Sequence, residues 1–297
     1  QGGLMTILEI LQCPDCSGAI EQPDDTRLLC QNCSREYPII DGIYSMLPSH
    51  SLKDTRFDNN KCFEQWRKIS SEVLHDYFIN GNKLFNFIHN SSHKAGNDIA
   101  DLSDESGWSL DIGCGTGAHF PYYSNLSRVV GIDINLKSLK LIRKSHPTAT
   151  LIHGDMYFMP LKSDVFKYVF SIYILEHSYF LESAIEETLR ILSQDGVFIV
   201  GLPCEGGLAW SLGRELTSHK YITNTYGIDY RRIVALEHCN TAKRVLTALE
   251  KRFSVVGRKW LPFPFLPSVN LNLTVTTLYK KADENQSSAR PQTITSG

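Results

Sequence analysis

The chain has 297 residues, enough for one large domain or for one large and one small. Its 42% hydrophobic and 21% charged content is that of a globular protein, and no apolar run approaches the roughly 20 residues that span a bilayer. A formal net charge of −2 argues against wholesale nucleic-acid binding, although residues 204–260 carry ten Lys/Arg against five Asp/Glu.

In chain order, residues 8–48 read as a compact unit of short strands and turns. It holds two C-x-x-C knuckles, Cys13-Pro14-Asp15-Cys16 and Cys30-Gln31-Asn32-Cys33, thirteen residues apart. Each knuckle curls two thiolates toward one point, and together they offer the four-sulfur tetrahedron that structural Zn²⁺ prefers. A closed four-sulfur site has no position for water, so the expected role of the metal is structural. About forty residues bury too little core to fold alone, and the metal would supply the missing stability. A redox pair or an iron–sulfur cluster is the alternative use of the same ligands. No secretory signal is legible, so a disulfide framework is not expected and the expected address is cytoplasmic.

Residues 49–106 are polar and helical in pattern, a linker or lid. Phe63, Trp66, Ile69, Val73, Leu74, Tyr77 and Phe78 recur at helical spacing, followed by Leu84, Phe85, Phe87 and Ile88. They read as packing residues. From Trp108 onward, strands and helices alternate. Strands are expected over 109–113, 128–133, 150–154, 168–174 and 196–202, and helices over 117–125, 136–145, 180–192 and 241–252. This alternation predicts an α/β fold with a doubly wound, mostly parallel sheet. Two last strands, near 254–260 and 270–280, leave no room for a crossover helix and should form an antiparallel hairpin, making seven strands in all. The polar tail over 282–297 is expected to be disordered.

The segment Asp111-Ile112-Gly113-Cys114-Gly115-Thr116-Gly117 joins the first of these strands to the first expected helix. Its glycines permit a tight turn and a close backbone approach to a ligand. A glycine triplet alone is a weak signal that a dinucleotide could also satisfy. Asp133, however, closes the next strand, where a carboxylate can accept hydrogen bonds from both hydroxyls of a ribose. The spacing G-x-G-x-G, in place of G-x-G-x-x-G, and the terminal hairpin both speak against a nicotinamide dehydrogenase.

With these motifs in order, residues 107–281 resemble a class I S-adenosylmethionine-dependent methyltransferase, whose Rossmann-like sheet ends in such a hairpin. D-I-G-C-G-T-G matches the family's first motif, Gly131-Ile132-Asp133 its ribose-binding acidic position, and Gly154-Asp155-Met156 its adenine-binding motif. Ile174-Leu175-Glu176-His177 matches a frequent ending of the fourth strand in members acting on small molecules. The resemblance implies S-adenosylmethionine as cofactor, contacted by Asp111, Gly113, Cys114, Gly115, Gly117, Asp133, Ile134, Asp155, Met156 and Ser171. The front unit, with Tyr37-Pro38-Ile39-Ile40-Asp41-Gly42-Ile43 after its knuckles, resembles a zinc-ribbon family found as activators of tRNA methyltransferases. A comparable ribbon precedes a bacterial ribosomal-RNA guanine methyltransferase.

His177, at the carboxyl end of the fourth strand, is the candidate base or substrate contact. The alternative is a histidine that merely packs beside the cofactor. His153 is expected at the sheet or the cofactor rim. Residues 203–239 should form much of the acceptor pocket, with Glu205, Trp210, Arg214, His219, Lys220, Tyr221, Tyr226, Tyr230, Arg231 and Arg232. Tyrosines mixed with basic residues suit an anionic or glycosylated small molecule, and equally an unpaired nucleotide. No N/D-P-P-Y/F motif occurs at the end of the fourth strand, which lowers the odds of amino-group methylation on adenine or cytosine. The front unit is acidic, with Arg27 and Arg35 against seven Asp/Glu in residues 8–48. A small-molecule acceptor is therefore the first expectation. An RNA base and a non-catalytic scaffold are the alternatives. The apolar segment 260–267 is open to pocket capping, a dimer contact or a lipid-like substrate, with core packing as the default.

Overall fold

A computed structural model of the chain describes residues 6–52, 60–73, 83–99, 107–123 and 125–282. Leu74, Tyr77 and Phe78 of the expected linker helix, and the tail beyond Ala282, lie outside them. Among the described residues no helix is long and apolar enough to cross a membrane.

Seven strands form the expected sheet: β5 (Trp108–Ile112), β6 (Val129–Asp133), β7 (Thr150–His153), β8 (Phe166–Ile172), β9 (Leu192–Pro203), β10 (Phe253–Leu261) and β11 (Thr274–Lys281). Their order is β7-β6-β5-β8-β9-β11-β10, parallel from β7 through β9. Only β11 runs antiparallel to its two neighbours. The central strands are covered on both faces, which is why β6 opens on the buried run Val129–Ile132 and β8 holds Tyr168-Val169-Phe170. One face is covered by α5 (Leu181–Ile191), which buries Leu181, Ala184, Ile185 and Ile191, and by α9 (Ala242–Leu249) packed beside it. α3 (Lys83–Ile99) packs against β9, β10 and β11. α4 (Leu136–Ser145) turns Leu139 and Ile142 inward and starts where the Asn135 side chain accepts from the backbone N–H groups of Lys137 and Ser138.

Two sequence expectations need correction. Residues 117–125 do not form a helix; a 3₁₀ turn at Phe120–Tyr122 stands there. Pro121 is tolerated in that first turn but has no N–H to continue a ladder. The last strand begins at Thr274, not 270, because buried Asn272 ties the preceding loop to itself. Asn272 donates to the carbonyls of Leu266 and Ser268 and accepts from the Phe263 N–H.

The sheet is also longer than seven strands. The front unit contributes α1 (Ile7–Ile10), β1 (Ile20–Asp24), β2 (Arg27–Cys30), β3 (Glu36–Ile40) and β4 (Ile43–Ser45). β4 pairs in parallel with β7, Tyr44 opposite Ile152 and Ser45 opposite His153, so eleven strands form one ladder. Ile10, Leu11 and Met46 share a core with Ile152, Met159 and Leu161. Arg143 of α4 donates to the Gly42 carbonyl at 2.8 Å, and Lys140 pairs with Asp41 at 2.8 Å. The front unit therefore covers an edge that would otherwise expose unpaired backbone groups.

The expected pocket region after β9 is helical. α6 (Leu208–Arg214), a π-helical segment Glu215–His219 and α7 (Lys220–Tyr226) run on without a break, and α8 (Tyr230–Glu237) comes next. Trp66, on α2 (Lys61–Val73), stacks obliquely on Tyr230 and donates from Nε1 to Glu237 at 2.9 Å.

Candidate active site

The carboxyl ends of β5, β6, β7 and β8 meet around the glycine loop, the place where ligands gather in an open α/β sheet. Gly113 has φ 66°, and a Cβ there would lie 2.4 Å from Cδ1 of Ile174, so only glycine fits against the end of β8. Gly115 differs. Its φ is 52°, but an added Cβ would meet nothing closer than 4.0 Å, which leaves an open cradle on the ligand side of the loop. The Gly117 N–H closes the turn on the Cys114 carbonyl at 2.8 Å.

Asp133 faces this cradle. One carboxylate oxygen accepts from the Gly115 N–H at 2.8 Å, the other from the Asn135 N–H at 2.7 Å, and burial pushes its pKa up. Asp111 is buried beneath the loop. Burial and the charge of Asp133 raise its pKa to about 8 against the opposing pull of the Tyr123 hydroxyl, and one of its oxygens has no well-formed hydrogen bond among the described residues. The buried Ser171 hydroxyl likewise lacks one. Such orphaned polar atoms fit a site built for a polar, partly cationic group. Asp155 is buried and accepts from the Tyr157 N–H at 2.9 Å, while the neighbouring Met156 packs on the core. Ile134, beside Asp133, is 62% exposed. The Cys114 thiol instead packs with Phe120, Leu139 and Ile142, which leaves its backbone as the part turned to the loop.

His153 links this end to the front unit. Its Nε2–H donates to the Ile134 carbonyl at 3.1 Å, so Nδ1 accepts from the Ser45 hydroxyl at 2.9 Å.

A second polar cluster lies beyond β8 and β9. His177 is partly exposed, its Nδ1 is 3.2 Å from the Glu237 carbonyl, and its ring meets His238 edge-on at 4.6 Å. Glu205 is buried and accepts from His238 at 3.0 Å, Trp210 at 2.7 Å and Arg214 at 2.5 Å. Burial alone would raise its pKa, but the His238 bond and charge, with Arg214, hold it at about 2. Glu176, buried without a partner on one oxygen, is pushed by burial to about 7. His238 was not legible as a site residue: it becomes one because the end of α8 lies against Glu205, beyond β9, and His177, beyond β8. Tyr173 is another. It takes φ 62° at the end of β8, a conformation costly for a bulky side chain and typical of functional sites.

The Glu205 arrangement sets a pH dependence. Its folded pKa lies below the ordinary 4.5, so its contribution is complete above pH 4.5 and is lost as the pH falls toward about 2. The loss is on the order of 3 kcal/mol. In urea titrations, Glu205→Gln should lower stability at pH 7 by a similar amount and flatten its decline between pH 4.5 and 2; an unchanged acid limb would refute the assignment. Glu176 has the opposite sign, favouring the fold below pH 4.5 and losing that contribution as the pH rises toward 7.

In the front unit, the four cysteine sulfurs all lie within 4.8 Å of one another, with Cys13–Cys33 at 3.8 Å and Cys16–Cys30 at 3.5 Å. Sulfurs at 2.3 Å from a tetrahedral metal would stand about 3.8 Å apart. The residue after each knuckle, Ser17 at φ 57° and Ser34 at φ 59°, makes the same left-handed turn. The Tyr37 hydroxyl stands 3.1 Å from the Cys13 sulfur, and the backbone N–H groups of Asn32 and Cys33 point at Cys30. Ligands and their outer partners thus fit a structural metal.

The family described as "Methyltransferase domain" matches residues 110–200, and that described as "Trm112p-like protein" matches residues 6–42. A probable S-adenosylmethionine-dependent methyltransferase of Mycolicibacterium smegmatis is 26% identical over 115 residues, covering 38% of this chain and 44% of the relative. An uncharacterized protein of Methanocaldococcus jannaschii is 34% identical over 158 residues, covering 50% and 61%. The dTDP-3-amino-3,6-dideoxy-α-D-glucopyranose N,N-dimethyltransferase of Streptomyces fradiae is 30% identical over 83 residues, covering 25% and 32%. The chain spans about half the length of the curated relatives it matches first. The N-methyltransferase NodS of Bradyrhizobium japonicum WM9, solved with S-adenosyl-L-homocysteine, superposes with a TM-score of 0.50 at 14% identity, over 74% of this chain and 99% of that one.

Residues 110–200 therefore match a methyltransferase domain, and the sheet around them has the fold of the solved methyltransferase. That region stands behind a Trm112p-like unit with four clustered cysteines, whose last strand is joined to the sheet.

Proposed function

We propose that the protein transfers a methyl group from S-adenosylmethionine to an oxygen or nitrogen of a small-molecule acceptor. The observation that carries the cofactor half is the open cradle at Gly115 between Asp133 and the orphaned carboxylate oxygen of Asp111. When bound, the cofactor supplies an electrophilic methyl on a sulfonium. Gly113, Gly115, Gly117 and the Cys114 backbone would line its amino-acid end, with Asp111 and Ser171 facing the charge. Asp133 would take the ribose hydroxyls, and Ile134, Asp155 and Met156 the adenine. Four-cysteine coordination of Zn²⁺ by Cys13, Cys16, Cys30 and Cys33 would hold the ribbon.

Methyl transfer is an in-line displacement in which alignment supplies much of the rate. A base is needed only for the acceptor's proton. A carbonyl can only accept, so the His177 bond to Glu237 puts a proton on Nδ1, while Nε2 faces Glu176 Oε1 at 3.9 Å. We assign His177 Nε2 to that proton. His177→Asn should lower kcat by roughly 10²–10⁴-fold while leaving the cofactor Kd unchanged. Unaltered turnover would leave His177 as a packing residue.

The ribbon's charge favours a small molecule over RNA. Both of its arginines are paired internally, Arg27 with Asp24 and Glu36, and Arg35 with Asp15. That leaves the acidic excess to face a phosphate backbone. The amino-sugar dimethyltransferase relative supports a glycosylated acceptor. Incubation with methyl-labelled cofactor and separate RNA and metabolite fractions decides the acceptor: label in a metabolite is the expected result, and label confined to RNA would overturn the acceptor assignment.

A further inference from the structure

The seven-residue apolar face formed by α6, the π-helical segment after it and the β10–β11 loop is used by nothing in the site described above. Leu208, Leu212 and Leu216 succeed one another at four-residue spacing along the helix and are 73%, 61% and 68% exposed. Beside them, Phe263, Leu266 and Leu271 are about half exposed, and Phe265 is 93% exposed. The two parts form one surface: the Ala209 N–H donates to the Asn270 carbonyl at 2.9 Å, and the Val269 backbone lies directly against Gly207.

This exposure is built. Asn272, wholly buried, pins the loop through bonds to the backbone of Phe263, Leu266 and Ser268, and Pro262, Pro264 and Pro267 restrict its path. The phenylalanines are thus held out from the body of the protein. Leaving a Phe or Leu in water forgoes a substantial burial energy, and contiguous apolar patches of this kind mark interaction sites.

Charge indicates the occupant. Residues 260–279 contain no ionisable side chain except Tyr279, which is buried. Charge at the patch margin is mixed with a basic excess: exposed Lys220 continues the leucine stripe at the same four-residue step, and exposed Arg231 is ion-paired with Glu215, the residue before Leu216. Exposed Arg232 comes next on the same turn of α8. A charge-free apolar tip with phenylalanines and a basic rim is the make-up of an element that lies in a membrane interface and prefers anionic headgroups.

We propose that this face docks the protein peripherally on an anionic lipid bilayer, with Phe263, Phe265 and Leu266 entering the interface and Lys220, Arg231 and Arg232 meeting headgroups. The proposal is independent of the acceptor's identity. The full chain is sedimented with vesicles rich in phosphatidylglycerol and with vesicles of phosphatidylcholine alone. Binding to the anionic vesicles should be roughly tenfold stronger or more. Phe263→Ser/Phe265→Ser should weaken it by about tenfold or more while the protein still melts cooperatively, since Phe265 is 93% exposed and Phe263 half so; Phe265→Ser alone should weaken binding with an unchanged melting temperature. Three results would overturn the proposal: no vesicle binding; binding that the double variant leaves intact; or a dimer in solution that the same variant dissociates, which would make a second copy the occupant.

Discussion

Replacing Cys13 and Cys16 with serine is expected to unfold the ribbon and to destabilise the sheet behind it. Two of four sulfurs would remain, too few to close a tetrahedral site. Structural zinc stabilises small folds by on the order of 10 kcal/mol, comparable to the whole stability of a domain. The effect should not stop at the ribbon, because β4 is hydrogen-bonded to β7 and Ile10, Leu11 and Met46 lie in the common core. Thermal melting should therefore move down for the methyltransferase domain too, and metal analysis should show less than one zinc per chain. A Cys13→Ser/Cys16→Ser protein that keeps its full zinc would refute the ligand assignment. One that loses zinc without any shift in melting would refute the coupling through β4.

The second large effect is on cofactor binding. Gly115→Val places a branched side chain in the part of the loop where a Cβ would come no closer than 4.0 Å to the protein. Its φ of 52° makes the substitution cost roughly 1–2 kcal/mol of backbone strain, which a domain of this size should survive. Cofactor affinity should nonetheless fall beyond detection, since the added atoms fill the cradle itself. Asp133→Ala should cost about 100-fold, in line with the loss of charge-assisted hydrogen bonds to two hydroxyls. Equilibrium dialysis with labelled cofactor measures both. A Gly115→Val protein that is folded and binds normally would exclude the loop as the site.

Much of this was legible in the chain itself, because the features concerned are local. Parallel strands buried on both faces leave apolar runs, the amphipathic spacing over 136–145 marks α4, and the knuckles place four sulfurs by backbone geometry alone. Asp133 could be named because strand ends in a doubly wound sheet converge. Long-range placement was not legible. Nothing near His238 in sequence announces Glu205, 33 residues away, or His177, which reaches it only across the fold. The pairing of β4 with β7 joins residues more than a hundred positions apart, and the strand is only three residues long. The helix expected over 117–125 failed at Pro121, a local signal outweighed by the apolar spacing around it.

Calorimetric titration of S-adenosyl-L-homocysteine into the full chain tests the central claim most directly. One-site binding with a Kd of roughly 1–100 μM, abolished by Gly115→Val, is the predicted result. A folded, zinc-replete protein that takes up neither this compound nor S-adenosylmethionine would contradict it.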